Sequence, residues 1–228
     1  MMTDILSVLT AENLLFLLDG LKMTIFYAGS TILLSICLGL ILALLRSYSL
    51  GFWGKLAAMY IEVLRNTPLI LWILGIRFLT PIPPLWSGVV SLTLFETAII
   101  AEIIRGGLGG IPKGQFEAGH SQGFTFLQVL RFIVVPQCFR SIVPALLSQV
   151  ITIVKDSSFL WAVAIEEFTG KGMILMGRFT STAQVFTLFA LMAAVYFTIN
   201  FLLSAAVRRQ SAKTGHKPTL EDLSAVTA

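Results

Sequence analysis

Residues 117–136 read EAGHSQGFTFLQVLRFIVVP, from Glu117 to Pro136. The stretch holds two glycines, an early acid, scattered bases and a final proline, and it lies between hydrophobic blocks long enough to cross a bilayer. A polar, turn-punctuated segment in such a chain must sit in water beside the membrane, where a soluble partner can touch it. The sequence predicts two short helices, 115–122 and 126–133, hinged at Gly123. Phe126, Leu127, Leu130, Ile133 and Val134 give the second an apolar face, and Pro136 is expected to close it. Two rigid pieces about a hinge make an element that can dock in a groove and pass rigid-body motion to its neighbours.

The blocks on either side set the class. Of 228 residues, 56% are hydrophobic and 12% charged, and the mean hydropathy is +0.87. Soluble domains carry about a quarter charged residues, so the chain reads as an all-α polytopic membrane protein. A bilayer helix needs about 20 apolar residues. The first crossing, 23–45, holds no charge and is bracketed by Lys22 and Arg46, with Gly29, Ser30, Ser35 and Gly39 as points of close helix approach. The second is interrupted by Glu62 and Arg65 and broken at Asn66-Thr67-Pro68, because proline lacks a donor and disfavours helix before it. The third spans about 89–104, the fourth about 141–164 with Lys155-Asp156-Ser157-Ser158 inside it, and the fifth about 183–207, stopped by Arg208 and Arg209.

Five crossings put the termini on opposite sides. Ten of the 16 bases fall in one set of connections: Arg46, Lys55, Arg105, Lys113, Arg131, Arg140, Arg208, Arg209, Lys213 and Lys217. Positive residues stay inside, so the N-terminus is expected outside, and residues 105–140 and the C-terminus in the cytoplasm. Residues 1–20 lack a basic n-region and a small-residue cleavage site, so they read as an interfacial segment, or as a frayed start to the first crossing, rather than a cleaved signal. Residues 21–209 form the transmembrane domain and 210–228 a polar tail.

Intramembrane charges are the candidate pathway residues: Arg65, Glu96, Lys155 and Asp156, with Thr67 at the proline break. Buried ionisable groups are costly and usually face a partner or a wet cavity. Glu62 and Arg65, at i and i+3, can pair on one helix face. Lys155 and Asp156 are adjacent and point apart. A cavity offering both signs suits a zwitterion, an amino acid; structural ion pairing is the alternative at each position. Arg77 is a further charge at this depth, and Glu102 with Arg105 reads as an anchor for the third helix.

Other classes are excluded by what the chain lacks. The basic balance of +4 is explained by topology rather than nucleic acid. Cys37 and Cys138 suit neither a metal site nor a disulfide framework, and His120 and His216 have no ligand neighbours. Glycines 106, 107, 109 and 110 follow no strand and end in no G-K-[ST], so they are not a phosphate loop. No nucleophile–base set marks an intramembrane enzyme.

The opening stretch resembles the EAA loop of permease subunits of bacterial ABC importers. Glu117-Ala118-Gly119 is followed by three residues, Gly123, nine residues and Ile133-Val134-Val135-Pro136. Gly119 stands where the pattern has a second alanine, and Val135 where it has leucine. Arg65-Asn66-Thr67-Pro68-Leu69, Ala101-Glu102 through Gly107, Ile111 through Gln115 and Lys155-Asp156-Ser157-Ser158 are similar to runs of the polar amino-acid uptake permeases, with Asn66 for glycine. The resemblance implies a five-helix permease of the type I importer kind, in the bacterial cytoplasmic membrane, paired with an identical or related permease. It further implies two ATP-binding cassette ATPases carrying the ATP and magnesium, and an extracytoplasmic amino-acid-binding protein. Glu117, Ala118, Gly119, Gly123, Ile133 and Pro136 would couple ATPase motion to alternating access. A stand-alone ion-coupled amino-acid carrier is the rival, and the absence of a visible inverted repeat weighs against it.

Overall fold

The computed structural model describes residues 2–213 apart from Leu50, with side chains described for 4–49 and 51–209. No strand occurs among the described residues. In chain order the helices are α1 (Met2–Val8), α2 (Ala11–Tyr48), α3 (Phe52–Arg65), α4 (Leu69–Leu79), α5 (Pro84–Gly109), α6 (Lys113–Ser121), α7 (Phe126–Val129), α8 (Val135–Asp156), α9 (Phe168–Met176) and α10 (Thr182–Lys213). A π-turn, Leu130–Val134, joins α7 to α8, and a 3-10 turn, Ser157–Val163, follows α8. The tail beyond Lys213, with His216 and Lys217, lies outside the described residues.

Four helical stretches are long and apolar enough to cross a membrane: α2, α5, Phe126–Val163, and α10 through Arg209. A fifth is the broken pair α3 and α4 taken as one. The break falls where the sequence put it: α3 ends at Arg65, and Pro68 is extended at φ −64°, ψ 135° before α4. The apolar window of α5 is 72% buried and that of α10 only 11%, so α5 is an interior helix and α10 shows most of its apolar surface outward.

Several boundaries differ from the sequence reading. α2 begins at Ala11, so residues 11–20 share a helix with the first crossing instead of forming a separate interfacial one. Pro136 does not close the helix after Phe126. The backbone passes through the π-turn, where the N–H of Val135 bonds Leu130 O, and continues as α8. A proline cannot donate to the carbonyl four residues back, and a wider turn just before it accommodates that loss without ending the helix.

The chain forms two compact units. The first holds residues up to Leu33, Pro68–Thr93 and Val150–Ala206. Its core includes Val8, Leu17, Phe168, Leu175, Leu188 and Met192. Glu167, fully buried, caps α9 by accepting from the N–H groups of Thr169 and Gly170 at 2.9 and 2.8 Å, and Thr24 of α2 donates to it at 3.1 Å. The second unit holds Leu34–Thr67, Leu94–Gln149 and the end of α10 from Val207. Here Gly39 brings α2 against Ile100 and Ala101 of α5: a Cβ at 39 would stand 2.9 Å from Ile100 Cγ2. Gly29, named with it as a contact point, has nothing within 4 Å.

Candidate functional site

The segment around Glu117 is folded by local rules. α6 ends in a Schellman motif: Gly123 N–H bonds His120 O at 2.9 Å and Phe124 N–H bonds Gly119 O at 3.1 Å. Gly123 takes φ +82°, the left-handed region open to glycine, with free space where a side chain would stand. The expected hinge position is thus the C-cap of α6, with both bonds made across it. Two residues on, Thr125 and Gln128 form a capping box, with Thr125 N–H donating to Gln128 Oε1 at 2.8 Å and Gln128 N–H to Thr125 Oγ1 at 3.4 Å. That T-x-x-Q signal was readable in the sequence.

Gly119 shows why the departure from alanine is tolerated. It is buried, and a Cβ there would meet Val129 Cγ2 at 2.6 Å and Ile133 Cδ1 at 3.2 Å. The glycine lets α6 lie directly on α7 and the π-turn. Glu117, Ala118, Gly123 and Pro136 are exposed, while Ile133 is half-buried against α6. Phe124, Phe126 and Leu127 are exposed as well, Leu127 at 74%. The element thus offers one carboxylate and a small apolar patch to whatever meets it.

Three rings tie this element to the end of α2. Tyr48 lies 6.0 Å from Phe116 and 5.4 Å edge-on from Phe126, and the two phenylalanines stack at 6.4 Å; such pairs add about 0.5–1.5 kcal/mol each beyond their burial. Gln137 of α8 donates to Gln115 of α6 at 3.0 Å. Gly107 of α5 packs on Ile142 and Cys138 of α8, and Cys138 Sγ donates to Ile104 O at 3.5 Å. Cys138 is a buried packing residue, as a small apolar residue would be.

In the last turn of α2, two residues before Tyr48, Arg46 starts a charged cluster. It pairs with Glu62 of α3 and Glu102 of α5, each at 2.9 Å. Glu102 also receives Arg105 at 2.6 Å and stands 3.9 Å from Arg65. The expected Glu62–Arg65 pair is thus replaced by pairs to other helices, and Glu102 is a hub joining three helices rather than an anchor for its own. Three guanidiniums face two carboxylates, leaving one net positive charge. Partly exposed pairs contribute little each, about 0.2–1 kcal/mol, but the shared acceptor fixes how α2, α3 and α5 meet. Sequence spacing could not find this, since Arg46 and Glu102 are 56 positions apart.

The five expected pathway residues do not share one unit. Arg65, Thr67 and Glu96 belong to the second, Lys155 and Asp156 to the first. Glu96 is fully buried and accepts from Gln149 Nε2 at 2.7 Å. Arg65 and Lys155 are exposed; Thr67 and Asp156 are half-buried. Arg77 of α4 stands 5.8 Å from the ring of Phe78. Among the described residues no group of His, Cys, Asp and Glu could hold a metal ion.

Apolar helices of this length, with one broken pair at a proline, define a multi-pass membrane protein. The chain belongs to the family of binding-protein-dependent transport system inner membrane components, whose sequence profile matches residues 35–216. It is 37% identical over 211 residues to the probable glutamine ABC transporter permease protein GlnP of Bacillus subtilis (strain 168), covering 90% of this chain and 97% of that protein. It is 31% identical over 216 residues to the glutamate/aspartate import permease protein GltK of Escherichia coli O157:H7, covering 88% and 95%. Among solved structures, an amino acid ABC transporter crystallised with histidines superposes with a TM-score of 0.78 at 28% identity, covering 89% of this chain and 95% of that one. The inward-facing MetNI methionine ABC transporter, at 20% identity and a TM-score of 0.74, shares the fold.

Proposed function

We propose that the chain is the membrane permease subunit of an ATP-driven importer for a polar amino acid, with glutamine and acidic amino acids the first candidates. The observation that carries this reading is the element 113–134, capped at Gly123 and Thr125, leading into the candidate span Phe126–Val163 and held to α2 by Tyr48, in a chain that matches amino-acid permeases along nearly its whole length. Two ATP-binding cassette ATPases bind ATP and magnesium and grip this element through Glu117 and its apolar neighbours. A second permease, identical or related, completes the pathway, and an extracytoplasmic binding protein delivers the amino acid. The N-terminus lies outside and residues 105–140 and the C-terminus in the cytoplasm, as the basic residues dictate. Closure of the ATPases pushes the element as one body and turns the pathway outward; hydrolysis resets it. Arg65, Thr67, Glu96, Lys155 and Asp156 line the route.

The test is reconstitution in proteoliposomes with the cognate ATPase and binding protein. ATP-dependent uptake of labelled glutamine or glutamate is expected, falling to background with Glu117→Lys while membrane insertion persists. Uptake by the permease without any ATPase would overturn the reading.

A further inference from the structure

Within the first unit, a pocket of about 290 Å³ opens where the 3-10 turn Ser157–Val163 meets α9. Trp161, 44% exposed, forms part of its wall with Glu166, Ala164, Met173 and Ile174. The larger groove along α2 and α3, about 500 Å³, has no charged side chain in its lining; this smaller one has a single charge, that of Glu166.

The backbone is bent to make the pocket. Ala164 has φ 57° and ψ 36°, the one positive φ outside glycine among the described residues. Its N–H bonds Trp161 O at 3.0 Å and the next N–H, of Ile165, bonds Leu160 O at 3.3 Å. This is the same left-handed reversal that glycine makes at 123, made here by a residue with a Cβ. Strain of this kind persists where the surroundings over-determine it, and it gathers at functional sites. Here the reversal sets Trp161 and Glu166 on the wall of one pocket.

Two adjacent glutamates then divide. Glu167 turns inward and is fully buried as the cap of α9. Glu166 is exposed, and no ion pair or hydrogen bond from the described residues engages its side chain. An indole beside an unpaired carboxylate is a recognition pair for an organic cation, the ring attracting it by its quadrupole and the carboxylate by its charge. The flexible thioether of Met173 lets the wall adapt.

We propose that this pocket binds an organic cation: the ammonium or guanidinium group of a free amino acid, or of a basic side chain on a docking protein. The inference stands apart from the importer reading, since it requires no particular orientation or motor.

The test uses the full chain in phosphatidylcholine nanodiscs with Trp53, Trp72 and Trp86 replaced by Phe, so that Trp161 reports alone. Ethylguanidinium and ethylammonium are titrated against sodium at matched ionic strength. A saturable fluorescence change is expected, weakened at least tenfold by Glu166→Gln. Should the triple replacement fail to fold, thermal shift on the unmodified chain gives the same comparison: ethylguanidinium raises the melting temperature of the wild type and not of Glu166→Gln. A response that does not saturate, or equal affinity with Gln at 166, overturns the proposal. L-arginine and the blocked peptide acetyl-Ala-Lys-Ala-amide separate the sources. Binding of free arginine as tight as ethylguanidinium assigns the site to an amino acid. Binding of the peptide with rejection of free arginine assigns it to a partner's side chain.

Discussion

Gly119 and Gly123 stand four residues apart and are glycines for opposite reasons. At 123 there is room for a side chain, but φ +82° resists one; at 119 the backbone is ordinary helix, but Val129 fills the room. Gly119→Ala should therefore lower the melting temperature of the purified complex, and adding Val129→Ala should recover part of the loss. A double-mutant cycle is expected to give a coupling of about 1 kcal/mol, the scale of contacting residues; additive effects would show that α6 does not rest on Val129. Glu167 carries a second prediction at this scale. Burial raises its carboxyl from the usual range to about 7, against the opposing hydrogen bonds from Thr169, Gly170, Thr24 and Tyr196. A carboxyl raised on folding binds its proton more tightly in the native state. Its contribution is full below the unfolded value near 4.5 and is lost as pH rises through about 7. The melting temperature should fall between pH 5 and pH 8, and Glu167→Gln should flatten that slope. An unchanged slope in the glutamine variant would remove Glu167 as its source.

The helical elements were legible to the extent that their signals are local. Charge-free runs marked the spans, Asn66-Thr67-Pro68 marked the break, and Gly123 marked the end of α6. The π-turn was not legible: Pro136 reads as a stop, and whether a helix stops or widens depends on the packing of Leu130 and Val134, both buried by other parts of the fold. The buried role of Glu167 has no local signal, because the hydroxyl of Thr24 that donates to it is 143 residues away. The short α7 depends on its cap. Thr125→Ala should cost about 1 kcal/mol of local stability, speeding amide exchange over Phe126–Val129 roughly fivefold, since RT is about 0.59 kcal/mol. Exchange at the wild-type rate would mean that tertiary packing alone holds that helix.

For the molecule as a whole, the proposed coupling requires a route from α6 to the spans. Among the described residues Tyr48 is the one aromatic bridge between that element and α2, and Arg46 in the same turn joins α2 to α3 and α5. Tyr48→Ala should leave the complex assembled and hydrolysing ATP while uptake per ATP drops several-fold. Loss of ATPase association instead would mark Tyr48 as part of the grip rather than the transmission. The family resemblance told from sequence that such an element exists, and its caps and its ring contacts with α2 are what the structure adds. The spatial hub at Glu102 is a long-range fact that no motif spells out. The tight seat of residue 119 on residue 129 carries a lesson for engineering. Anyone grafting the α6–α7 element of this permease onto a relative, or the reverse, must move both positions as a set, because a chimera that splits them inherits an alanine with nowhere to go.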